Sequence, residues 1–186
     1  MRQLLSLVAV AVMVSGVFAA DGIKSGLKTG ELVGPFYVTK SAGAEKDGVS
    51  VGQNLCYRCK NGGRPQVMVF TRSSDKKVVE FVTKLDKALA KNKKKQLRAF
   101  VNYLGESKSS ATKAAKTLCK TAKVKMIPFV VPNEAENGPA DYGINAKAEI
   151  TILLAEGGKV KANHAVKSAK DLDVSKVIKD LSKILN

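Results

Sequence analysis

Apolar positions between residues 66 and 185 alternate between strand and helix periods. Residues 66–71 (QVMVFT) form an unbroken apolar run bounded by turn residues, as expected for a strand covered on both faces. Ser73-Ser74-Asp75 then offers helix-capping side chains, and Val78, Val79, Phe81, Val82, Leu85 and Leu89 recur at helical spacing. Residues 97–104 (LRAFVNYL) read as a second strand. Ala111, Ala114, Ala115, Leu118, Cys119 and Ala122 make one apolar helix face. Residues 127–131 predict a third strand and 133–139 a loop. Residues 149–155 and 159–166 flank Glu156-Gly157-Gly158, a hairpin signal. Val174, Val177, Ile178, Leu181, Ile184 and Leu185 complete an amphipathic C-terminal helix. Upstream, residues 32–38 (LVGPFYV) are a short strand candidate, followed by a polar loop rich in Gly, Ala and Lys. A strand-helix-strand start implies a right-handed parallel unit. The added hairpin predicts an α/β fold of three layers, with a mixed central sheet and helices on both faces.

The first residues follow another pattern. Arg2 precedes an apolar run over residues 4–14, and Val17-Phe18-Ala19 places small residues where signal peptidase reads them. Residues 1–19 are therefore expected to be a cleaved secretory signal, which implies a secreted or periplasmic protein. The run is shorter than the ~20 residues of a membrane span, so no span is expected after cleavage. Residues 20–29 read as a flexible lead, and 30–186 as one domain long enough for a full core.

Charge narrows the choice of partners. The chain carries 32 Lys and Arg against 16 Asp and Glu, for a net charge of +16, and only five of the basic residues are Arg. A lysine surface suits solubility and loose attraction to polyanions better than bidentate readout of phosphates or bases. Aromatic residues make up 5% of the chain, too few for a stacking platform, so specific nucleic-acid binding is not expected. The densest run, Lys91-Asn-Lys-Lys-Lys95, reads as a solvated helix end, with weak polyanion contact as the alternative.

The candidate chemistry lies in three cysteines. Cys56-Tyr-Arg-Cys59 is followed at once by Lys-Asn-Gly-Gly-Arg-Pro, a cluster of turn signals that predicts no helix to activate the pair. Outside the cytosol such a pair oxidises, and Cys119 is left over. Three readings are open. Cys56 and Cys59 could be a redox pair exchanging disulfides with a protein thiol partner. Arg58, Lys60 and Arg64 would then stabilise a thiolate, and Cys119 would be a third thiol. Alternatively the bridge is a structural staple, with Cys119 a small buried hydrophobe. In the third reading the three cysteines and His164, the only histidine, make a zinc set. Against that reading, no second ligand cluster accompanies the pair. A covalent haem would need His where Lys60 stands, and no cofactor is expected.

The element order is similar to that of the thioredoxin-like superfamily. Gly30-Glu-Leu-Val-Gly-Pro-Phe36, Ala140-Asp-Tyr-Gly-Ile144, Ala148-Glu-Ile-Thr-Ile-Leu-Leu154 and Gly157-Gly-Lys-Val160 resemble its redoxin and peroxiredoxin branch. The resemblance covers residues 30–186. It implies a working cysteine just after the first core strand, but Phe70-Thr-Arg-Ser-Ser-Asp75 has none, so a peroxiredoxin-type peroxidase is not expected. Ala146-Lys-Ala148 also stands where the family carries a cis-proline. Traced through such a sheet, Cys56 and Cys59 fall at the end opposite the family's usual site, with Cys119 on the same side and His164 nearer the other. Arg72, Asp75 and Glu149 could converge at the usual site, as a surface ion pair or, alternatively, as a small polar pocket. The expected protein is an exported thioredoxin-like domain that exchanges thiols and disulfides through Cys56 and Cys59; the alternative is a non-catalytic domain with a structural bridge.

Overall fold

A computed structural model describes residues 23–185; the expected signal segment lies outside them. The elements are β1 (Val38–Ala42), β2 (Asn54–Leu55), α1 (Tyr57–Asn61), β3 (Gln66–Thr71), α2 (Lys76–Lys91), β4 (Arg98–Tyr103), α3 (Lys108–Ala122), β5 (Phe129–Pro132), β6 (Ile150–Glu156), β7 (Lys159–Val166) and α4 (Val174–Asp180). They build one seven-stranded mixed sheet in the order β2-β1-β5-β4-β3-β6-β7. β3, β4 and β5 are parallel, with Gln66 opposite Arg98 and Thr71 opposite Tyr103. β6 pairs antiparallel with β3 and forms the predicted hairpin with β7.

Local chemistry starts each long helix. The Asp75 carboxylate accepts the Lys77 N–H, Ser107 and Ser110 form a reciprocal capping box, and Asp173 accepts the Lys176 N–H. α2, α3 and α4 then bury their apolar stripes on one face of the sheet, where Val67, Val69 and Val101 meet Phe81, Leu85, Leu118 and Val177. Fully buried side chains of this size contribute about 1.5–3 kcal/mol each. The alternate strand residues, Met68, Phe70, Phe100 and Leu153, point to the second face and pack with Phe36, Tyr57 and Tyr142. That second layer consists of α1, a 3₁₀ turn over Ala140–Tyr142 and irregular chain.

The N-terminal third departs from the sequence expectation. The strand expected over 32–38 begins only at Val38. Leu32 makes a single bridge to Lys159, and the stretch holding Gly34 and Pro35 stays irregular while Val33 and Phe36 fill the second core. β1 instead runs through Thr39, Lys40 and Ser41, residues expected in a polar loop. The expected flexible lead is bound to the sheet. Ser25 Oγ lies 2.6 Å from Thr151 Oγ1, Asn163 donates to the Ser25 and Leu27 carbonyls, and Gly26 N–H donates to Gly143 O.

Candidate functional site

The cysteine pair opens a helix after all. Cys56 is the N-cap of α1, and its sulfur accepts the Cys59 N–H at 3.0 Å. Five residues suffice for this turn because Gly62, at φ 62°, closes it by donating to the Arg58 and Cys59 carbonyls. Cys56 and Cys59 form a disulfide with Cα atoms 5.2 Å apart. Cys56 is buried, whereas Cys59 is exposed.

The residues between the cysteines anchor the bridge from both sides. Tyr57 turns inward and stacks on Phe100, with ring centroids 5.7 Å apart. Its hydroxyl donates to Asp47 at 2.5 Å. Burial first, then the Asp47 hydrogen bond and charge, push this phenol far above its ordinary value, so it stays a donor. Asp47 also accepts the ammonium of Lys40 at 2.8 Å and the Val49 N–H. Lys40 is 2% exposed and spends its other two donors on the Ala44 and Val49 carbonyls. A β-carbon at Gly43, in the same loop at φ 76°, would collide with the Ile127 carbonyl. On the other side, Gly157 N–H donates to Gly63 O, and Gln66 Nε2 donates to Gly62 O. Nothing in the sequence pattern singles out Lys40 or Asp47. The one cue is their spacing, seven residues apart across a glycine-rich turn.

The basic residues near the pair differ in setting. Arg58 is half-buried and directed toward the β6–β7 hairpin, and its charge opposes the burial that raises the Tyr142 phenol. Lys60 is exposed. Arg64 donates to the Lys60 and Asn61 carbonyls and, through Nε, to Gln96 at 2.9 Å.

Cys119 is a free thiol. It lies near the C-terminal end of α3, half-buried against the helix-covered core, whereas α1 belongs to the second face, so the sheet separates the two. Burial, aided by the Asp86 carboxylate, pushes the Cys119 thiol up. His164 is elsewhere again, with Nε2 3.1 Å from Asp180 Oδ2. The cysteine pair, Cys119 and His164 are thus not brought together, and among the described residues no three His, Cys, Asp or Glu side chains cluster as metal ligands.

Arg72, Asp75 and Glu149 do lie at the other end of β3, where Arg72 N–H donates to Glu149 O at 2.9 Å, but their side chains form neither a shared pocket nor an ion pair. The Arg72 guanidinium turns to the Glu136 carbonyl and Asn137. Asp75 caps α2, and Glu149 accepts the Ala169 N–H at 2.7 Å. Arg72 instead borders an open depression of about 360 Å³ with Leu104, Gly105 and Glu136, and no thiol lines it.

His164 gives the fold a pH dependence. Burial holds its imidazole below the ordinary value of ~6.5, and Lys176 and Lys183 push the same way, while Asp180 opposes them. The unfolded chain therefore binds this proton first, and stability falls as pH drops through that ordinary value. His164 is the only histidine, so urea midpoints should decrease between pH 7.5 and 5.5 in the natural chain. The His164→Gln variant should lose most of that decrease.

The chain has a thioredoxin-like fold with a bridged Cys-x-x-Cys at the N-terminal end of its first parallel strand. Neither a family model nor a curated relative matches the sequence. Solved structures do match. A candidate thiol:disulfide interchange protein DsbE from Chlorobium tepidum superposes with a TM-score of 0.62 at 17% identity, covering 86% of this chain and 99% of that one. A candidate protein disulfide isomerase from Bacteroides thetaiotaomicron gives 0.60 at 14% identity, over 88% and 94%. Yeast mitochondrial 1-Cys peroxiredoxin gives 0.56 at 12% identity, over 84% and 75%. At these identities the likeness is one of fold. Among the described residues no helix is long and apolar enough to cross a membrane.

Proposed function

We propose that this is an exported thiol–disulfide exchange protein whose working bridge is Cys56–Cys59. The observation that carries the reading is the asymmetry of the bridge: Cys59 is exposed, while Cys56 is buried at the helix cap. A partner thiolate can reach the Cys59 sulfur. Its attack forms a mixed disulfide with Cys59 and breaks the bond to Cys56, which leaves as a thiolate still accepting the Cys59 N–H. A second partner thiolate then attacks the partner's own sulfur in the mixed disulfide and releases Cys59. The partner departs as a disulfide, and its two electrons remain in the Cys56–Cys59 dithiol. Run in reverse, the dithiol reduces a partner disulfide. Arg58, Lys60 and Arg64 supply positive charge that favours the thiolate states. Export rests on the pattern of residues 1–19, and it suits a bridge that persists only in an oxidising compartment.

The tethering of α1 through Tyr57 and Gly63 favours one competing reading, a structural staple. The two readings differ in reduction potential. The mature protein, equilibrated in glutathione buffers and read by thiol alkylation and mass spectrometry, should titrate between about −120 and −270 mV, the range of exchange proteins. A bridge still closed below about −300 mV is a staple, and the exchange reading would then be abandoned.

A further inference from the structure

We infer that the partner of this bridge is an acidic protein thiol, a cysteine flanked by carboxylates that docks on a lysine-rich end of the sheet around Cys59. The inference rests on the exchange reading above and adds the substrate class. Its basis is the parallel register. Because Gln66 pairs with Arg98, the chain entering β3 and the chain entering β4 lie side by side. Arg98 N–H donates to Pro65 O at 2.9 Å, and Arg64 Nε to Gln96 Oε1 at 2.9 Å. The turn carrying Lys93, Lys94 and Lys95, all exposed, is thereby fastened beside α1. Exposed Lys60 stands next to Cys59, and exposed Lys159 follows the hairpin that bonds to Gly63. Two features more than thirty residues apart in sequence form one surface.

Of the carboxylates at this end, Glu31 and Glu45 are exposed, and the others are engaged. Asp47 is bound to Lys40, Asp86 accepts the Lys125 and Met126 N–H groups, and Glu156 lies 3.5 Å from Lys161. At the other end of β3 and β4, the acids Glu106, Glu134, Glu136 and Asp141 are interspersed with bases such as Arg72, Lys108 and Lys147, so the positive field concentrates around the bridge. A phosphate polymer would meet that charge but has no sulfur to exchange. Only an acidic protein or peptide thiol uses both features. Charge of this kind raises association rates by roughly 10–10³ and fades with ionic strength.

The test uses three heptapeptides, each with one central cysteine flanked by Glu, Gln or Lys, as reductants of the oxidised mature protein. Rates of bridge opening are followed by alkylation and mass spectrometry and are normalised to peptide thiolate. They are compared at ionic strengths of about 0.01 M and 1 M, where the Debye length falls from ~30 to ~3 Å. The Glu peptide should react at least roughly tenfold faster than the Lys peptide at low salt, and the difference should vanish at high salt. Combining Lys93→Ser, Lys94→Ser and Lys95→Ser should slow the Glu peptide and leave the Gln peptide unchanged. Equal rates for the three peptides, or a preference that salt does not alter, would overturn the acidic-partner inference and leave the exchange reading standing. Resistance of the bridge to all three peptides would overturn both.

Discussion

Replacing Cys59 by serine should abolish turnover and leave a protein that forms mixed disulfides only slowly, whereas Cys56→Ser should abolish turnover yet trap its partner readily. The asymmetry follows from exposure. In Cys56→Ser the thiol left in the pair, on Cys59, is at the surface; in Cys59→Ser the thiol left in the pair, on Cys56, is buried. Exchange rates depend on access to the attacking sulfur, so Cys59 should react with a small aromatic disulfide roughly tenfold faster than Cys56. Absorbance of the released thiol measures the two rates, and mass spectrometry identifies the trapped adduct. Each variant also loses a bridge closing a four-residue loop, worth about 2 kcal/mol on the chain-entropy model. Urea melts run alongside separate that shared loss from the difference in reactivity. Cys119 should contribute little to either signal, because burial and Asp86 keep its thiol protonated. Faster reaction at Cys56 would reverse the assigned order of attack.

Lys40→Met should cost the fold about 3 kcal/mol or more, the range for breaking a buried ion pair by removing one partner. Methionine keeps the apolar stem but removes a charge with all three donors in use. Asp47 would retain Tyr57 and the Val49 N–H but lose its counter-charge, and the Ala44 and Val49 carbonyls would lose a donor. The β1–β2 loop and Tyr57 share this network, so the disturbance should reach the bridge as well. Urea denaturation checks the magnitude. Amide hydrogen exchange across residues 43–61 checks the location, with faster exchange expected there and little change in β6 and β7. A loss below about 1 kcal/mol would place Lys40 among ordinary surface ion pairs.

What could be read directly from the sequence was everything set by local spacing. Val78, Phe81, Val82, Leu85 and Leu89 specify their helix whatever covers them. The apolar run of β3 and the Gly157-Gly158 hairpin likewise carry their own geometry. The position of the cysteine pair, opposite the vacant position after β3, followed from the order of those elements. Local spacing could not show what depends on backbone acceptors or on partners far along the chain. Lys40 reads as a loop residue although its three acceptor oxygens lie only 4, 7 and 9 residues on. Two of them are backbone carbonyls that no side-chain pattern announces; together the three make its burial tolerable and so permit β1. Turn signals at Gly62 and Gly63 argued against a helix at Cys56, but Tyr57 docking on Phe100 and Asp47 holds one there. The separation of Cys119 from the pair was decided by which face of the sheet α3 covers. The placing of the lysine turn beside Arg64 was decided by the register of β3 on β4. Both are tertiary outcomes, because a strand's neighbours are chosen by packing across the whole sheet rather than by residues beside it in sequence.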